Sequence, residues 1–137
     1  MATTKLGFII QRAGYKCENP KLALTHSIAS QSVEVYLNDG DLVTADIAFV
    51  GDGVLNCLKN QKAMERYGLT STESHIKNGL LLDLNILVCK EDLEMLGLSE
   101  KDIVMDAEEF GADMTTKVVP FADITKMMEQ VNHLLFF

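Results

Sequence analysis

Apolar positions along this chain follow two rhythms. Leu6-Gly-Phe-Ile-Ile10 is a short unbroken apolar run, the pattern of a strand covered on both faces. Similar runs recur at Asp46-Ile-Ala-Phe-Val50 and Leu84-Asn-Ile-Leu-Val88, with shorter strand-like segments at Lys117–Val119 and His133–Phe137. Helical spacing fills the intervals. Pro20 suits the first turn of a helix, where its fixed φ matches and its missing N–H is no loss. Leu22, Leu24, Ile28 and Val35 then supply an apolar face over residues 20–37, which Asn38-Asp-Gly-Asp41 ends. Another helix begins near Val54 and carries Leu55, Leu58 and Met64, and a short one covers Glu73–Leu81 behind a Ser71-x-x-Ser74 start. Lys90–Leu96 reads as a helix closed by Gly97, and residues 100–113 as an irregular acidic stretch. Phe121–Val131 is amphipathic, with Ile124, Met127, Met128 and Val131 facing inward. Strands alternating with helices predict an α/β fold built of right-handed βαβ units around a mostly parallel, five-stranded sheet.

The length of 137 residues predicts one domain spanning 1–137, and 47% hydrophobic residues are enough for a real core. No apolar run approaches the roughly 20 residues of a membrane span. Met-Ala-Thr-Thr-Lys leads straight into the first strand without a cleavable signal pattern, so the expected compartment is the cytoplasm. A net charge of −8 with scattered basic residues argues against binding to a nucleic-acid backbone. The three cysteines, Cys17, Cys57 and Cys89, are odd in number and form no CxxC or Cys/His spacing. Reduced thiols are expected, with neither a disulfide framework nor a metal, and no cofactor motif is present.

Placed on this framework, all three cysteines fall after strands, at the edge of the sheet where α/β proteins bind ligands. Cys89 has the strongest chemical case. It joins a strand's end to a helix's first turn, where free backbone N–H groups favour a thiolate. Lys90 would add to that effect, while Glu91 and Asp92 oppose it. The alternative is a small buried hydrophobe at a strand–helix junction. Cys57, between Leu55 and Leu58, reads as packing, and Cys17 as a loop thiol able to serve as an accessory. Gly51-Asp-Gly53 lacks the GxGxxG and GxxxxGK[ST] patterns and reads as a tight turn with Asp52 as helix N-cap. No Ser-His-Asp pattern, catalytic carboxylate pair or GxSxG elbow is present.

Several segments, in this order, resemble the DsrE/DsrF-like family, which includes TusD- and TusC-type subunits of the bacterial sulfur relay. They are the apolar first strand with its Gly14-Tyr15 loop, Phe49-Val-Gly-Asp-Gly-Val54 leading to Leu58-Lys-Asn-Gln61, and Leu84-Asn-Ile-Leu-Val-Cys89 followed by Gly97-Leu98. A last helix running into an aromatic terminal strand completes the series. The resemblance implies a flavodoxin-like α/β/α domain assembling as a homotrimer or homohexamer, in some members with paralogous subunits. It further implies a sulfurtransferase-like role, in which Cys89 accepts sulfane sulfur as a persulfide from a donor protein and passes it to an acceptor protein. Tyr15, Cys17, Asp52 and Lys90 are the accessory candidates around it. The Gly-Asp-Gly-Val and Lys-Asn-Gln segments are closer to the DsrF/TusC branch, whose members generally lack the active cysteine, so a non-catalytic assembly or binding subunit with an inert Cys89 is the alternative. A small-ligand or nucleotide-binding domain is the third reading.

Overall fold

The computed structural model describes residues 3–14, 18–32 and 42–137. Its strands are β1 (Thr3–Ile10), β2 (Leu42–Phe49), β3 (Asn85–Cys89), β4 (Lys117–Val119) and β5 (His133–Phe136). They form one parallel sheet in the order β4-β3-β2-β1-β5. The helices are α1 (Asn19–Ser32), α2 (Ala63–Tyr67), α3 (Thr72–Leu81), α4 (Lys90–Met95) and α5 (Phe121–Glu129). The expected fold class is observed. Candidate residues Tyr15 and Cys17, together with Val35 and the turn expected at 38–41, lie outside the described residues.

The strand order follows from connection handedness. Each step from β1 through β4 moves one place in the same direction, so right-handed crossovers stack α1 and α3 on one face. The return from β4 to β5 crosses back over β1 and puts α5 on the other face. Side chains alternate accordingly. Phe8, Ile47, Phe49, Ile86 and Val88 pack with Leu24 of α1 and Ile76 and Leu80 of α3. Ala48, Leu87 and Cys89 point the opposite way, into a smaller cluster with Ile124 and Met128 of α5. Each fully buried Leu, Ile or Phe contributes about 1.5–3 kcal/mol, and the first face holds many more of them.

Local expectations are met at most elements. The Gly97 stop is a complete Schellman cap: Leu98 N–H donates to Leu93 O at 3.1 Å and Gly97 N–H to Glu94 O at 2.9 Å. Gly97 takes φ +72°, which a side chain would resist. On α1 the buried positions are Pro20, Ala23, Leu24 and Ser27, whereas Leu22 is exposed, because 100° per residue turns it away from Leu24. The single helix expected from Val54 through Met64 does not form. Gly51–Cys57 is instead a 3-10 helix, Leu58 bridges to Ile103, Asn60 takes φ +62°, and α2 follows as a separate turn. Within the acidic stretch, Ile103, Val104 and Ala107 are core residues between two 3-10 turns.

Two glycines set how closely the layers approach. At Gly7, an added Cβ would lie 2.7 Å from Met128 Sδ and 3.0 Å from a Val131 methyl, so the missing side chain seats α5 on β1. At Gly53, a Cβ would sit far inside van der Waals contact with the Ile10 carbonyl oxygen, against backbone that cannot rotate away. Gly53→Ala is therefore expected to cost about 3 kcal/mol or more in a urea melt, at the upper end of overpacking effects, or to prevent folding.

Candidate functional site

Cys89 is both the last residue of β3 and the N-cap of α4. Parallel pairing of Cys89 with Val119 fixes its backbone, and strand alternation turns its side chain into the α5 cluster. The residue is 1% exposed. Its sulfur lies 3.9 Å from Glu91 Oε1, and Asp92 adds a second nearby carboxylate. Both acids make specific bonds to other elements. Glu91 accepts from the Phe121 N–H at 3.0 Å through Oε1, capping the first turn of α5. Asp92 Oδ2 accepts from the Gly51 N–H at 2.7 Å. The thiol is thus covered by a carboxylate that staples α4 to α5 and flanked by one that ties α4 to the glycine turn.

This geometry reverses the expected electrostatics. Burial raises the Cys89 pKa most, from an ordinary 9.0 to about 11. The Asp92 backbone N–H works the other way, but the Asp92 carboxylate and the Glu91 charge raise the value further. The expectation of a thiolate favoured by the helix start is therefore corrected: at neutral pH Cys89 is a protonated thiol. The backbone N–H groups are present as anticipated, and desolvation and two nearby carboxylates outweigh them.

The other candidates are distributed more widely. Lys90 is exposed at the first position of α4. Asp52 is exposed within the 3-10 helix and does not cap it; the N-cap is Val50, without a side-chain bond. Cys57 is fully buried among Val54, Ile103 and Val104, where burial alone pushes its thiol far above the ordinary range. Cys57 and Cys89 occupy different core clusters, so the sheet separates them although both follow strands. Among the described residues no group of three or more His, Cys, Asp or Glu could hold a metal ion.

The Gly-Asp-Gly and Lys-Asn-Gln segments form a polar weld outside the ends of β1 and β2. Asn56 Nδ2 donates to Arg12 O at 2.8 Å and to Gly53 O at 2.9 Å. Gln61 Nε2 donates to Asn56 O and Leu58 O, both at 2.9 Å, and the Thr72 hydroxyl lies 2.9 Å from Asn56 O and from Gln61 Oε1. Glu73 accepts from the Asn60 and Gln61 N–H groups. Reading the segment for phosphate loops overlooked Asn56; its signal was an amide placed three residues after a glycine in a turn.

Among solved structures, the ychN protein from E. coli matches with a TM-score of 0.74 at 16% identity, covering 98% of this chain and 99% of that one. MTH1491 from Methanobacterium thermoautotrophicum, a protein of unknown function, matches with a TM-score of 0.57 at 12% identity over 96% of this chain and 98% of its own. BT1422 from Bacteroides thetaiotaomicron, a conserved protein of unknown function, gives 0.51 at 13% identity over 96% and 93%. No family model and no curated protein matches the sequence. The chain therefore has a YchN-type α/β fold, with five parallel strands between helices. Among the described residues, no helix is long and apolar enough to cross a membrane.

Two outcomes are expected. A thiol whose folded pKa stands above its ordinary 9.0 stabilises the fold below pH 9, and that contribution is lost as the pH climbs toward about 11. Urea melts across that interval should show falling stability, with a shallower fall in Cys89→Ala; Cys57 remains and acts with the same sign. Removing the staple with Glu91→Ala deletes charge-assisted bonds worth roughly 1–2 kcal/mol, so native alkylation of Cys89 should accelerate about tenfold. Mass-spectrometric time courses of iodoacetamide labelling check this.

Proposed function

We propose that this chain is a DsrE/DsrF-like assembly and binding subunit, of the TusC type, working in the cytoplasm with Cys89 as a structural thiol. The observation that carries this reading is the state of Cys89: 1% exposed, set against two carboxylates, and raised to about 11. A sulfur carrier works as a thiolate, and this placement lowers the thiolate fraction at neutral pH by roughly a hundredfold relative to a free cysteine. The assembly role is supported by the surface around the edge strand. All four residues of β5 are exposed, including Leu134, Leu135 and Phe136, and Phe136 keeps 61% of its area in solvent. An open edge strand that is also apolar is suited to pairing with another protein surface.

A second reading keeps Cys89 as a persulfide carrier, favoured by its place at the carboxyl edge of the sheet beneath the exposed Glu91. In that reading an opening motion frees the thiolate. It attacks the outer sulfur of a donor persulfide, forming Cys89–S–SH and releasing the donor as its thiolate.

One experiment separates the two. The reduced protein is sized by light scattering, then incubated with a small-molecule persulfide donor and weighed intact by mass spectrometry. A trimer or hexamer without a sulfur adduct is the expected result. An adduct that forms on the native protein and disappears in Cys89→Ser overturns the structural role of the thiol and establishes the carrier.

A further inference from the structure

Outside the ends of β1 and β2, on the opposite side of the Gly-Asp-Gly turn from Cys89, lies a cavity of about 360 Å³, lined in part by Lys21, Leu55, Leu58 and Tyr67. That volume falls in the range of small-molecule sites. Asn56 forms part of its wall and is 2% exposed. Two carbonyls fix which way its amide faces, because Nδ2 donates to both Arg12 O and Gly53 O. Oδ1 must therefore point away from them, and among the described residues it has no hydrogen-bond partner. It points at Gly14: a Cβ on that residue would come 3.1 Å from Oδ1. A buried acceptor beneath a residue without a side chain is a place where a donor can be received.

Among the described residues, the mouth of the cavity is equally unpartnered. Helix α2 buries none of its five residues, and around it Met64, Tyr67 and Leu69 are 58%, 75% and 54% exposed. Tyr67 offers an aromatic face to a flat ring. Lys21 is half-buried in the wall, and no carboxylate pairs with it among the described residues.

We propose that this cavity is a small-molecule site for a planar heterocycle that carries an N–H donor and an anionic group. An amino N–H on the ring donates to Asn56 Oδ1, the ring's face stacks on Tyr67, and the anion lies at Lys21. Ala13–Gly14 covers Oδ1 in the unliganded chain and moves aside as the ligand enters. The site does not involve Cys89, so it stands or falls separately from the role of that thiol.

Isothermal titration of the full chain with adenosine 5′-monophosphate, a probe with all three features, tests the site. Ribose 5-phosphate, which has the anion and no ring, is the control. Saturable 1:1 binding of the nucleotide is expected, at least tenfold tighter than that of ribose 5-phosphate. Gly14→Ala, which adds a methyl 3.1 Å from Oδ1 to the segment that moves aside, should weaken nucleotide binding at least tenfold. Tyr67→Ala is an exposed substitution that leaves the core untouched, so it reports even if Gly14→Ala misfolds, and it too should weaken binding at least tenfold. No saturable binding, equal binding of the ribose phosphate, or full affinity in the folded variants would each overturn the proposal.

Discussion

The carbonyl of Ile10 anchors the working edge of this molecule. It ends β1, accepts the Val50 N–H at 3.0 Å, and has the backbone of Gly53 seated directly upon it. From there the contacts run outward in one continuous set. The glycine turn offers the Gly51 N–H to Asp92, Asp92 holds the start of α4, and the neighbouring Glu91 reaches across to the Phe121 N–H of α5. Backbone donors meeting carboxylates do most of this binding, with no Lys or Arg involved. Such charge-assisted bonds are stronger than neutral ones, and they give two of the chain's many acidic residues particular structural partners.

The two faces of the sheet are unequal, and the inequality bears on Cys89. One face is covered by α1, α3 and the segment carrying Ile103 and Val104, all packed into a single large cluster. The other relies on α5, nine residues long, brought close by the absence of a side chain at Gly7. Cys89 belongs to this thinner layer, and the bond from Glu91 pins the N-terminus of the helix beside it. A layer with few buried contacts has less free energy opposing local opening than the core behind it. The same arrangement accounts for an inert thiol at rest and for the motion that a carrier would require.

Beyond β1 and β2, the Gly-Asp-Gly and Lys-Asn-Gln segments that carry much of the family resemblance serve as loop architecture. Gly53 permits contact with β1, Asn56 binds two carbonyls from different turns, and Gln61 and Thr72 close the joint to α3.

Much of this fold was legible in the order of residues. Parallel strands covered on both sides are nearly continuous apolar runs, so β1, the core of β2 and β3 stood out. The Gly97 stop and the inward face of α5 follow from φ preference and from 3.6-residue spacing, both local properties. Other features depend on partners distant in sequence. Local pattern favoured one helix from Val54 to Met64, but the Asn56 amide bonded to Arg12, and Leu58 bridged to Ile103, 45 positions along the chain. Ile103, Val104 and Ala107 looked like loop until packing put them in the core. The identity of Cys89 and its place at a strand's end were fixed by sequence alone, and so was the helix start beside it. Its protonation was decided by tertiary structure, because burial beneath α5 and the convergence of Glu91 and Asp92 arise only when β3, β4 and α5 are assembled.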